Sequence, residues 1–240
     1  FPEPTKMFLL FSFMGGVSQI IFTILLIYLF SFRSFAVGTI YSKTEVLQVA
    51  FLSLIILGDK ISFLAGIAIF VSLIGVITLS ASKSDTKIRL ILFGLFKKTT
   101  LIGLACGAFL GASSVFYRAA SLSLVNTELL MRASFTLAIS LIIQCLMMGA
   151  YLRLKEPGQI TKTFKNWHPA LTVGISGVLG SICWFTAFTI QNAAYVRALG
   201  QIELIFTFIA STLFFKEKTN SSEFFGIILV AVSIIILLLN

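Results

Sequence analysis

Charge is scarce in this chain. Lysine, arginine, aspartate and glutamate make up 11% of its 240 residues, where a soluble domain carries about 25%, so a water-soluble globular protein is excluded. Histidine occurs once, as His168, in a loop beside Pro169. The three cysteines, Cys106, Cys145 and Cys183, fall singly in separate apolar stretches with no CxxC or other metal-ligand spacing, and read as packing thiols. HExxH, GxSxG and Gly-Lys-Ser/Thr phosphate loops are all missing. No apolar stretch carries an aspartate or a second carboxylate placed for paired acid–base work. These absences predict no enzymatic activity, no bound metal and no cofactor.

Hydrophobic residues make up 58% of the chain. A helix needs roughly 20 mostly apolar residues to cross about 30 Å of hydrocarbon. Eight runs meet that need: a (Phe8–Phe30), b (Phe35–Leu57), c (Ile61–Ser80), d (Leu101–Ala120), e (Leu129–Tyr151), f (Ala170–Ile190), g (Ala193–Phe215) and h (Phe224–Leu239). None alternates in polarity as barrel strands do. The expected fold is an all-α, polytopic membrane helix bundle. The net charge of +9 does not point to nucleic acid, because the basic residues sit in short loops where membrane orientation accounts for them. Between runs c and d, "KIRLILFGLFKK" (Lys87–Lys98) is too short to cross and reads as an interfacial segment.

A shift of 158 residues lays runs a and b onto f and g. Gly16 meets Gly174, Phe30 meets Phe188, Glu45 meets Glu203, and "LGDK" (Leu57–Lys60) meets "FKEK" (Phe215–Lys218); two residues later in register, Gly66 meets Gly226. Apolar matches are cheap in a membrane protein, but a matched buried glutamate is not. Runs d to h then form a five-helix unit over residues 101–240. Residues 1–80 supply the last three helices of an earlier copy, and residues 81–100 link the two. The pattern predicts two further helices ahead of run a, in a protein of ten. Because five is odd, the two copies cross the membrane in opposite senses, an inverted-topology repeat of the kind many transporters use for alternating access.

"SKTEVLQVAFLSLIILGDK" (Ser42–Lys60) and "GQIELIFTFIASTLFFKEK" (Gly200–Lys218), each followed by a helix opening near Gly66 or Gly226, resemble the fourth-helix copies of the drug/metabolite transporter superfamily, specifically its EamA-type family. "TELLMRASFTLAISLII" (Thr127–Ile143), with Arg132 near its start, resembles the family's second helix. Val46 and Leu204 stand where a proline usually follows the glutamate. Gly58–Asp59 and Lys216–Glu217 stand in place of the usual Leu-Gly-Glu ending. The resemblance implies a secondary transporter of a small solute (amino acid, amine or drug-like), often an exporter, in the cytoplasmic membrane of a bacterium. A lipid or lipid-linked sugar carrier and a non-transporting scaffold or inactive fragment are the alternatives.

Charged residues inside a membrane are costly and usually face a cavity or a partner. Lys43 and Glu45 point about 200° apart at 100° per residue, so they cannot pair with each other. Glu45 shares a face with Gly38, Tyr41, Ser42 and Gln48; Glu203 shares one with Gly200 and Thr207, while Arg197 and Gln201 stack one turn apart. The candidate substrate or proton-coupling residues are therefore Glu45, Glu203, Lys43, Gln48, Tyr41, Gln201, Arg132, Arg197 and Trp184, around a cavity lined by runs b, e, f and g. Arg118 ends run d and reads as an interface anchor. Gly103, Gly107 and Gly111, and likewise Gly174, Gly177 and Gly180, read as close-packing stripes. The partners expected are a small-molecule substrate, with a proton as coupling ion, and membrane lipid.

Orientation receives two answers. Loops after runs a, c, e and g hold twelve basic residues, against Lys6, Lys60 and Arg118 opposite. The positive-inside rule thus places the twelve-residue side in the cytoplasm and Asn240 outside. The resemblance implies both termini inside.

Overall fold

The computed structural model describes residues 2–32, 40–83, 98–125, 127–213, 216 and 220–239. It is all-helical there. The helices are α1 (Lys6–Phe30), α2 (Glu45–Leu57), α3 (Phe63–Lys83), α4 (Lys98–Leu122), α5 (Leu129–Lys155), α6 (Gln159–Lys165), α7 (Trp167–Ile190), α8 (Ala193–Gly200), α9 (Ile202–Leu213) and α10 (Ser221–Leu238). Eight stretches are long and apolar enough to cross a bilayer, with Ile40–Leu57 and Ala193–Leu213 each counting as one although each is interrupted. They coincide with runs a to h. The start of run b, nearly all of the Lys87–Lys98 segment, and Asn240 lie outside the described residues.

Helix ends follow local chemistry. α2 stops at Gly58, whose φ of 69° suits a residue without a Cβ; its N–H donates to the Leu54 carbonyl and the Asp59 N–H to the Ser53 carbonyl. α10 opens on a capping box between Asn220 and Glu223. The short α6 lies in what the sequence presents as a basic loop; it begins directly after Gly158, at φ 91°.

The chain packs as two units. The first comprises Phe1–Ile20 and Phe116–Gln191, the second Ile21–Val115 and Asn192–Asn240. In the first, the Tyr117 ring lies over Gly15, where an added Cβ would come within 2.6 Å of it. Tyr117 also stacks at 4.5 Å on Phe185 and accepts a 2.7 Å bond from Gln144 Nε2. Phe8 is buried against Ala120 and Leu124 and stacks on Phe135. In the second unit α3 and α10 make the most extensive helix pairing. Their backbones approach at Gly75 and Gly226, where a Cβ on either would meet the other's carbonyl oxygen at 2.9 Å. Val76, Val230 and Ile234 close the core beside that crossing.

Candidate functional site

Two spans of the second unit change pitch partway along. Ahead of α2 the chain turns at Lys43–Thr44, where Lys43 N–H donates to the Ile40 carbonyl at 3.2 Å and Thr44 N–H to Tyr41 at 3.1 Å. These are three-residue bonds in place of four-residue ones. Between α8 and α9 the same change occurs at Gln201, whose N–H donates to Ala198 at 3.2 Å, while Leu204 N–H donates to Gln201 at 3.0 Å. Each turn holds a residue with the small negative ψ of a tightened helix: Thr44 at φ −70°, ψ −2° and Gln201 at φ −64°, ψ −8°. Lys43 and Gln201 stand 158 residues apart, the spacing of the repeat. Tight turns of this type within a helix often mark hinges. At the first, side chains compete for the backbone: the Thr44 hydroxyl donates to the Tyr41 carbonyl at 2.7 Å and accepts from Gln48 Nε2 at 2.9 Å. At the second, Gly200 precedes the turn and weakens the helix.

A carboxylate follows each hinge. Glu45 is the first residue of α2 and Glu203 the second of α9, so both sit where a helix N-terminus favours negative charge. Their cationic partners come from the opposite span. Arg197 Nη2 lies 2.6 Å from Glu45 Oε1, and Lys43 Nζ lies 3.3 Å from Glu203 Oε1. Two ion pairs therefore cross the seam between the two hinged spans.

The pairs differ in exposure. The Glu45 and Arg197 side chains are 5% and 13% exposed, those of Glu203 and Lys43 60% and 26%. Removing one partner of a buried pair leaves an uncompensated charge, at a cost of about 3–5 kcal/mol. An exposed pair contributes about 0–1 kcal/mol. The seam is clamped at one pair and loose at the other.

α4 supplies the bed for the first hinge. A Cβ on Gly107 would meet the Ser42 carbonyl oxygen at 2.9 Å and Gln48 Nε2 at 3.1 Å, and one on Gly111 would meet Val49 at 2.9 Å. Close packing is the role of those two glycines. Gly174, Gly177 and Gly180 differ: nothing among the described residues lies within 4 Å of a Cβ built there, so that stripe is open where packing was expected.

Of the sequence-derived candidates, Lys43, Glu45, Arg197 and Glu203 meet across this seam, while Gln48 donates to the Leu104 carbonyl of α4 at 3.4 Å. Tyr41 is buried in a cluster with Ile40 and Ala81. Gln201 is buried, donates to the Arg197 carbonyl at 3.4 Å, and leaves its Oε1 without a partner among the described residues. Gly38, expected on the Glu45 face, lies outside the described residues. Arg132 and Trp184 belong to the first unit, where Arg132 Nε donates to the Ser121 carbonyl at 3.0 Å and Trp184 rests 5.6 Å from the Phe188 ring. Arg118, expected as an interface anchor, bonds to the end of a neighbouring helix. Its Nη1 donates to the carbonyls of Phe188 and Gln191 at 2.7 and 2.6 Å, closing the C-terminal end of α7. Thr44 was missed by sequence reasoning, although a threonine one residue ahead of an intramembrane glutamate is a usable sign of a local break.

The sequence model of the EamA-like transporter family matches residues 90–239, well over half of the chain, a stretch that runs through α4 to α10. Comparison with curated proteins gives no match.

Proposed function

Because this chain belongs to the EamA-like transporter family, we propose that it is a secondary transporter of a small metabolite, working by alternating access about the seam between its two hinged spans. One observation carries the reading: two spans 158 residues apart each break just before a carboxylate, and each carboxylate is held by a cation of the other span. Broken spans at a repeat interface are where transporters of inverted-repeat design bind their ligands. In this reading the protein has ten helices in two inverted copies, residues 1–80 and 101–240 being parts of them. No enzymatic step or cofactor is involved.

The buried pair also bears on substrate class. A ligand entering at Glu45 and Arg197 must leave neither charge uncompensated. A zwitterion does this by offering an ammonium to the carboxylate and a carboxylate to the guanidinium. Amino acids and related zwitterions are therefore the favoured cargo, and proton uptake by Glu45 would be a second way to release Arg197. A pure scaffold is disfavoured, since apolar residues of similar volume in place of a buried pair are often neutral or stabilising. The direction favoured is export from a bacterial cytoplasm.

The test is counterflow in proteoliposomes across a panel of amino acids, amines and neutral metabolites. A zwitterion should be exchanged, and Glu45→Gln should abolish exchange while the protein still elutes as a single folded species. Exchange of neutral solutes alone, or full exchange by Glu45→Gln, would count against the reading.

A further inference from the structure

Beside the α2–α3 linker lies a groove of about 810 Å³. Phe51 and Leu54 of α2 and Phe63, Ile67 and Phe70 of α3 form its apolar walls, while Asp59, Lys60 and Ser62 line it at the linker. Gly66 lines it too. Glycine is a poorer helix former than alanine, and here no positive φ calls for one. A Cβ at Gly66 would meet nothing within 4 Å among the described residues. Its counterpart in the repeat, Gly226, would meet backbone at 2.9 Å. Packing among the described residues explains the glycine at 226 but not the one at 66.

We propose that this groove is a glycerophospholipid site, with an acyl chain lying along Gly66 between α2 and α3 and the phosphate at Lys60. Both walls belong to spans long and apolar enough to cross a bilayer, which sets the groove at bilayer depth. Its polarity is ordered along its length as an amphiphile's is: charged side chains at the linker end, apolar ones beyond. Lys60 is exposed there and supplies the cation a phosphate requires.

Native mass spectrometry of the purified full chain, titrated with dioleoyl phosphatidylglycerol, reads the site directly. Gly66→Trp starts its side chain in open space among the described residues and should carry one lipid fewer than the parent. Lys60→Ala should weaken that lipid's binding about fivefold, the effect of one lysine near an anionic headgroup. Gly149→Trp puts the same ring at another open glycine, on α5, and should keep the parent's stoichiometry. Equal lipid count and affinity in Gly66→Trp and the parent would overturn the proposal. So would equal lipid loss in Gly149→Trp, or dissociation of a dimer in place of lipid loss, which would make the groove an interface between copies. If Gly66→Trp does not fold, Lys60→Ala decides the matter, and unchanged affinity overturns the site.

Discussion

Residues 40–83 and 193–238 present the same succession: a hinge, a carboxylate, an apolar half-span, and a glycine early in the next helix. They use it differently. Glu45 is buried against Arg197, while Glu203 stands largely exposed beside Lys43. Gly226 is pressed onto α3, while Gly66 faces an open groove. Equivalent residues thus occupy unequal environments, although both spans tighten to three-residue backbone bonds at the turn. What the copies share is the local device; what separates them is packing. In an alternating-access reading, that inequality is what one end state of an exchange between two copies would have.

Substitutions that treat the copies alike should expose the difference. Glu45→Gln strands Arg197 in a buried position and should destabilise the protein by about 3–5 kcal/mol. Glu203→Gln, at an exposed pair, should cost no more than about 1 kcal/mol. Steric-trap unfolding in bicelles measures both, and similar losses would erase the contrast between the two pairs. The glycines come next. Gly226→Val forces side-chain atoms against the Gly75 and Leu79 backbone and should cost about 1–3 kcal/mol as overpacking does. Gly66→Ala meets open space in a helix and should be neutral or stabilise by about 0.5–1 kcal/mol. A destabilised Gly66→Ala would show that the groove is tighter than its geometry.

The eight long apolar helices were legible because bilayer thickness imposes a length that composition reveals directly. Glu45 and Glu203 were legible for a related reason: a carboxylate within an apolar run stands out from its neighbours. Their partners were not. Lys43 and Glu203 lie 160 residues apart, and helical periodicity, which ruled out pairing between Lys43 and Glu45, says nothing about which other span supplies a cation. The hinges were also hidden. No proline marks either, and the Lys43–Thr44 turn depends on a hydroxyl finding the Tyr41 carbonyl, a choice invisible in composition. Arg118 has partners that were hidden in the same way: the carbonyls of Phe188 and Gln191, some seventy residues on, which its place at a helix end could not identify.

The reciprocal seam is tested most directly by double-mutant cycles on its two pairs, read by the same unfolding equilibrium. Glu45→Gln with Arg197→Gln should return a coupling of about 3 kcal/mol or more, because the double variant removes the uncompensated charge that each single one creates. Glu203→Gln with Lys43→Gln should return less than about 1 kcal/mol. Equal coupling in the two cycles, or none between Glu45 and Arg197, would contradict a seam clamped at one pair and loose at the other.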